Sequence, residues 1–273
     1  MLGVALAATA IAFPGGVVTS SDPGAPRPHL VVVLLPALLL ITAVTFAPPR
    51  LHSGADGIDV LRPRRAAVEC AVLLAVAVVF PLLIPLLPLP EDYVLLKAAM
   101  LLVIAPLAML AFARFGGGAS LSWERPAIAL PWLFVPVGVA IGADALRATD
   151  SFAALAAYPM QMLIVGGVAT AITAGIGEEV FYRRLLQTRL EALLGRWSGI
   201  LLTSILFAFM HLPSHGLAAG LGLGAAQVLA VHGLLGIALG WAWSRYRRLW
   251  VPILIHLSVN GTVIVLFLLD RAL

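Results

Sequence analysis

The sequence predicts an all-α protein, a polytopic membrane bundle of eight or nine transmembrane helices. Three observations carry that prediction. Of 273 residues, 62% are hydrophobic and only 11% charged, against about 25% charged in soluble domains; the mean hydropathy is +1.05. The apolar residues fall in continuous runs close to the ~20 residues that a spanning helix needs, without the alternation of a membrane β-strand. The arginines, finally, gather in every second loop, as basic residues do on the cytoplasmic side of a membrane. A large soluble domain, a coiled coil and a disordered tail are excluded. The net charge of +4 is small and dispersed, so nucleic acid is not an expected partner; the lipid bilayer is. Cys70 is the only cysteine, which excludes an internal disulfide framework and a multi-cysteine metal site.

The apolar runs, taken in order, place spans at about 2–18, 30–48, 66–89, 93–113, 127–146, 155–180, 198–213, 217–243 and 250–269. The first is interrupted by Pro14-Gly15-Gly16. No basic residue precedes it, so it makes a poor signal peptide, and it is kept as a weak membrane segment. The loop after the second run holds Arg50, Arg62, Arg64 and Arg65; the loop after the fourth holds Arg114 and Arg125. The loop after the sixth holds Arg183, Arg184, Arg189 and Arg196, and the one after the eighth Arg245, Arg247 and Arg248. These are thirteen of the seventeen basic residues. The opposite side has Arg27, Lys97, Arg147 and Arg271 beside Asp22, Glu91, Asp92, Asp144, Asp150 and Asp270. Nine passes, with the N-terminus inside and the C-terminus outside, satisfy this asymmetry; with eight, only the N-terminus changes side. Trp197, Trp243 and Trp250 stand at the ends of late spans, where amphipathic rings favour the headgroup layer.

Ionisable groups within spans are costly and point to function. In the first half, Glu69 and Lys97 lie near span ends, where snorkelling accounts for them. The second half is richer: Glu178-Glu179 in GEEVFYRR, His211 in FAFMH, His232 in AVHGLLG, and His256 with Asn260 in HLSVN. Adjacent helical residues point about 100° apart, so the two glutamates should have different tasks. Glu179 stands four residues before Arg183, the spacing of an ion pair along one face. Glu178 is then left to face the bundle interior, unless both carboxylates merely mark a solvated span end. His256 and Asn260 share a face at the same spacing, as do Phe207 and His211. His232 lacks such a partner and reads as a core histidine. The turn at Gly195-Arg196 lies almost midway between Glu178 and His211, about 25 Å and 24 Å away along the helices, so an antiparallel hairpin brings the two side by side. The leucine stripe of Leu185, Leu186, Leu190, Leu193 and Leu194 also suits a segment lying on the membrane surface, which would weaken that match. Gly166, Gly167, Gly175 and Gly177 permit close helix packing.

A glutamate, two histidines and an asparagine converging in a membrane can activate water. Carboxylates in apolar surroundings hold protons more tightly, which suits one to accept and return a proton. A histidine can share the water or protonate a leaving amine, and the His256–Asn260 pair can donate to a developing oxyanion. The other arrangement open to these residues is a divalent metal such as Zn2+ on Glu178, His211 and His256, with water in the remaining position. Either hydrolyses an amide. GxSxG and HExxH are both absent, which argues against a serine hydrolase and a soluble-type zinc peptidase.

At these residues the sequence resembles a known family. EEVFYR (Glu178 to Arg183) matches EExxxR, FAFMH (Phe207 to His211) matches FxxxH, and HLSVN (His256 to Asn260) matches HxxxN. Three ordered motifs on successive late spans resemble the CPBP intramembrane proteases, also called the ABI family. That family includes the type II CAAX prenyl endopeptidases and bacteriocin-processing and immunity relatives. The likeness implies that residues 126–273 form a protease core, with the motifs inside 155–265, preceded by transmembrane helices in 1–125 that carry no family motif. It implies that Glu178 and His211 activate water, His256 and Asn260 stabilise the oxyanion, and Glu179 and Arg183, with Phe207, brace the site. The implied metal is open between Zn2+ and a metal-free glutamate mechanism. The expected substrate is a membrane-associated, prenylated or secreted peptide, or a membrane protein, reached from the cytoplasmic side of a bacterial-type inner membrane. Two rivals stand beside the enzyme: a non-catalytic scaffold or bacteriocin-immunity-type protein of the same fold, and a proton-coupled transporter.

Overall fold

The computed structural model describes residues 1–19, 27–48, 58–89, 92–146, 148–215 and 220–272. Asp22, Arg50, Glu91 and Arg147, used above to orient the loops, lie outside the described residues.

The described chain is an all-α bundle, with one two-residue antiparallel pairing of Asp59–Val60 with Leu121–Ser122. Six helices are long and apolar enough to cross a membrane: α3 (Pro63–Leu86), α4 (Asp92–Phe115), α7 (Met160–Leu194), α8 (Arg196–Ser214), α9 (Leu221–Tyr246) and α10 (Trp250–Ala272). Three apolar helices are shorter, namely α1 (Leu2–Ala12), α2 (Leu30–Phe46) and α5 (Leu130–Ala145), and α6 (Ala148–Leu155) is a brief connector. The run expected at 2–18 thus yields only 11 helical residues. At 1.5 Å per residue that is about 16 Å, well short of a ~30 Å hydrocarbon core. The helix stops just before Pro14 and Gly15, where the chain turns. Many large apolar side chains remain exposed around the outside, among them Leu95, Leu107, Val165 and Leu269, as lipid-facing surfaces require.

Helix α7 departs most from its expected extent. It runs past residue 180 as far as Leu194, because Glu179, Arg183, Gln187 and Glu191 are buried and paired on its inner face, while Arg184 stays exposed. Gly195, at φ 84°, then reverses the chain directly into α8. This is the tight hairpin expected from the Gly195-Arg196 turn.

Three stretches are wound as π-helix: Ala98–Ile104 in α4, Ala171–Gln187 in α7 and Leu229–Gly233 in α9. Such winding is uncommon and concentrates at functional sites. The first two stretches pack on each other. Around them α10 lies against α5 and the middle of α7, α8 lies against α9, and α2 packs on both α5 and α9. One apolar core joins α3, α4, α7 and α8 through Phe80, Leu101, Phe181, Leu186 and Phe207, all at most 1% exposed. A second joins α2, α5, α9 and α10 through Leu40, Leu133, Leu239 and Val251. The polar residues of the late helices meet where these two halves adjoin.

Of the four glycines expected to allow close packing, two do so strongly. A Cβ on Gly175 would collide with Leu257, and one on Gly177 would come within 3.1 Å of Leu102 Cγ. Gly167 approaches Ile264 only at 4.0 Å, and Gly166 faces open space.

Candidate active site

Glu178, His211, His256 and Asn260 line one cavity of about 480 Å3. Thr173 and Ala174 of α7, Phe207 of α8, Val231 and His232 of α9, and Tyr93 and Lys97 of α4 contribute to its wall. The pattern of α7 explains the two glutamates. Glu179 turns into the protein, where its Oε2 accepts from Arg183 Nε at 3.1 Å and its Oε1 meets His256 Nδ1 at 2.8 Å. A carboxylate oxygen of that ion pair only accepts, so Nδ1 carries the hydrogen and the His256 Nε2 is turned the other way. Glu178 faces that side: its Oε2 lies 4.0 Å from Nε2. This gap is too long for a direct hydrogen bond and short enough for one water to touch both atoms. Glu178, Glu179 and Arg183 are all fully buried, and His256 is 3% exposed.

The spacing Glu179–Arg183 therefore forms its ion pair inside the protein, in dry surroundings instead of at a solvated span end. Phe207 is the hub beneath this arrangement. Its ring lies 5.0 Å from the Arg183 guanidinium, 5.0 Å from the His211 ring and 5.9 Å from the His256 ring, and Tyr182 meets it edge-on at 5.5 Å. His211 ends the regular part of α8, with its Nδ1 2.8 Å from the carbonyl of Phe207. A carbonyl accepts, so this contact places the hydrogen on Nδ1 and leaves Nε2 as the basic nitrogen.

Three residues depart from the sequence-based expectation. Lys97, expected to snorkel at a span end, is only 4% exposed. Its ammonium ion-pairs with Glu178 Oε1 and donates to Tyr93 Oη at 2.9 Å. Being the only lysine in the chain, set at the start of an apolar run, was the one signal available. His232, expected as a core histidine, lines the cavity and stacks on His211 with ring centres 4.0 Å apart and planes 17° apart. Glu69, also expected to snorkel, is likewise buried at 2% exposure: Arg189 contacts its Oε2 and the backbone N–H of Ala119 donates to its Oε1.

Among the described residues no three His, Cys, Asp or Glu side chains are gathered to share a metal. The Lys97 ammonium holds one oxygen of Glu178, and Glu178, His211 and His256 line one cavity.

Residues 160–262, which contain every one of these polar groups except Lys97 and Tyr93, match the family model described as "Type II CAAX prenyl endopeptidase Rce1-like". The match supports the CPBP/CAAX protease family for this segment. No curated protein matches the chain, and no solved structure does. The CPBP match supports a CAAX-type intramembrane protease carried by a multi-pass integral membrane protein. The α7–α10 bundle is the part of the chain that the CPBP match spans; Lys97 and Tyr93 reach its cavity from α4, outside the matched residues.

Proposed function

We propose that the protein hydrolyses a peptide bond of a membrane-associated peptide, with Glu178 as the general base toward a water held between α7, α8 and α10. The observation that carries this reading is the facing pair of Glu178 Oε2 and His256 Nε2, 4.0 Å apart on a polar cavity that His211 and Asn260 also reach. Glu178 takes a proton from water, and the water oxygen bonds to the scissile carbonyl carbon. The negative charge that develops on the carbonyl oxygen is met by the Asn260 amide and by His256, the Nδ1–H of which is held by Glu179. His211, its basic Nε2 set by the Phe207 carbonyl, shares the water proton with Glu178. The C–N bond then breaks as that proton passes to the leaving nitrogen. Lys97 fixes the Oε1 atom of Glu178 and leaves Oε2 for the water. Glu179 and Arg183 orient His256 without touching substrate.

A membrane-borne substrate is supported by a second feature. An apolar groove of about 590 Å3 between α5, α7 and α10 adjoins the cavity and shares Thr170, Asn260 and Ile264 with it. Peptide backbone at Asn260 would thus lie beside a lined path for an aliphatic or prenyl chain. Access from the cytoplasmic side is part of the same proposal, argued from the arginine-rich loops.

The test is cleavage of a quenched membrane-anchored peptide by the full chain in proteoliposomes. Glu178→Gln and His211→Ala should each lower kcat by ~10²–10⁴-fold, the usual range for a general acid or base, while both proteins remain folded by circular dichroism. Full activity in either variant overturns the assignment. Solute uptake by the wild type with no cleavage would favour a transporter instead.

A further inference from the structure

A second cavity, of about 190 Å3, lies at the opposite chemical extreme. It sits where α9 ends at Tyr246 and α10 begins at Trp250, and its wall holds Arg125, Arg184, Arg247 and Arg248 together with Trp123, Trp243 and Trp250. Among the described residues no carboxylate lines it. Four guanidiniums in so small a space repel one another, and among the described residues only Arg247 has an ionic partner, Glu191, which lies outside the lining.

Arg247 is 3% exposed and Trp243 2% exposed. The Arg184 guanidinium lies over the Trp123 ring at 4.3 Å, that ring meets Trp243 edge-on at 6.1 Å, and Arg247 lies 5.8 Å from the Trp243 ring. Arg247 takes a left-handed backbone conformation, φ 52°, uncommon for a non-glycine residue, and lines this cavity. In two of its lining residues, Arg247 Nε and Nη1 and the indole Nε1 of Trp243 are buried donors with no hydrogen-bond partner among the described residues. Buried donors left unmade are costly, charged ones most of all.

We infer that this cavity binds a phosphate group, carried by an anionic lipid headgroup or free in solution. Planar guanidinium forks match phosphate oxygens two at a time, and a phosphate would give the three orphaned donors their acceptor. The volume suits one such group and falls below the ~300–1,000 Å3 of pockets for larger organic ligands. The place suits a headgroup: the cavity lies at the ends of two spanning helices among interfacial tryptophans, on the arginine-rich face, where basic pockets between helices meet anionic lipid. This inference stands apart from the proteolytic reading, because its readout is binding.

The full chain is purified, delipidated and placed in nanodiscs of phosphatidylcholine, with or without a minor fraction of phosphatidylglycerol, and separately titrated with inorganic phosphate. Thermal unfolding and retained lipid by native mass spectrometry are measured. Stabilisation by phosphatidylglycerol alone identifies a headgroup; stabilisation by inorganic phosphate identifies a soluble anion. The paired variant Arg125→Gln/Arg184→Gln removes two exposed arginines of the cavity and should weaken binding about tenfold, the loss of a charge-assisted contact. Trp243→Phe keeps the ring, removes one donor and should weaken binding by a smaller factor. Arg64→Gln/Arg114→Gln removes two exposed arginines of the same face outside the cavity and should leave binding unchanged. Equal losses in the two arginine pairs would reduce the effect to general surface charge and overturn the site, as would the absence of stabilisation by either phosphate source.

Discussion

At the residue scale, two adjacent carboxylates on α7 are given opposite tasks by what each meets. Glu179 spends both oxygens on Arg183 and His256, whereas Glu178 has one oxygen on Lys97 and the other toward the cavity. The Lys97 contact makes a specific demand. Removing one partner of a buried ion pair leaves the other charge uncompensated, at a cost of about 3–5 kcal/mol. Lys97→Met should therefore lower the melting temperature and reduce kcat by roughly 10²-fold, with KM little changed because Lys97 acts through its contact with Glu178 Oε1. Steady-state kinetics on the reconstituted variant checks this, and a wild-type kcat would remove Lys97 from the proposal. The spacing of Glu179 and Arg183 was enough to foresee their pairing, since i,i+4 neighbours meet along any helix of this kind. Lys97 and His232 were not foreseeable. A lone lysine near a span end and a lone histidine in an apolar helix look alike whether they face lipid, core or cavity, and only packing between distant helices decides.

At the element scale, the α7–α8 hairpin sets the depth at which Glu178 and His211 meet. Its legs lie close because Gly199 has no side chain: a Cβ there would stand 2.7 Å from the backbone nitrogen and 3.0 Å from the Cα of Glu191. Backbone cannot swing aside as a side chain can. Gly199→Ala should thus cost about 1–3 kcal/mol by overpacking, seen as a lower midpoint in thermal unfolding. Gly167→Ala, which meets only Ile264 at 4.0 Å, should be close to neutral and serves as the comparison. The hairpin itself was legible in the sequence from Gly195-Arg196 and the matched distances on either side. The end of α7 was not, because the charged residues after 180 suggested release into water. Arg184 does stay exposed, but Arg183 and Glu191 are buried, Glu191 within a network in which it accepts from Gln187 at 2.7 Å and from Ser244 at 3.3 Å and pairs with Arg247. Partners on α9, more than fifty residues away, decide that outcome.

For the whole molecule, composition alone settled the fold class, since a chain with so few charges has no means of covering a surface in water. It did not settle the number of crossings, because α1, α2 and α5 are short apolar helices whose length leaves their role to their neighbours. The arginine asymmetry makes a prediction that needs no count of them. The native Cys70 is 4% exposed, so an introduced cysteine at a surface position should be the reactive one. In sealed, oriented vesicles an impermeant maleimide should label Arg64→Cys and Arg114→Cys from one side and Asp270→Cys from the other. Labelling of all three from one side would overturn the orientation.

The bond between Lys97 and Glu178 has a consequence for how this protein can be divided. The portion recognisable by its motifs is not electrically complete: cut free at residue 160, it would carry a negative group in its dry interior whose neutralising charge had been left on the discarded piece. Shortened versions meant to isolate the hydrolytic half should therefore keep α4, even though nothing in that helix bears a family signature.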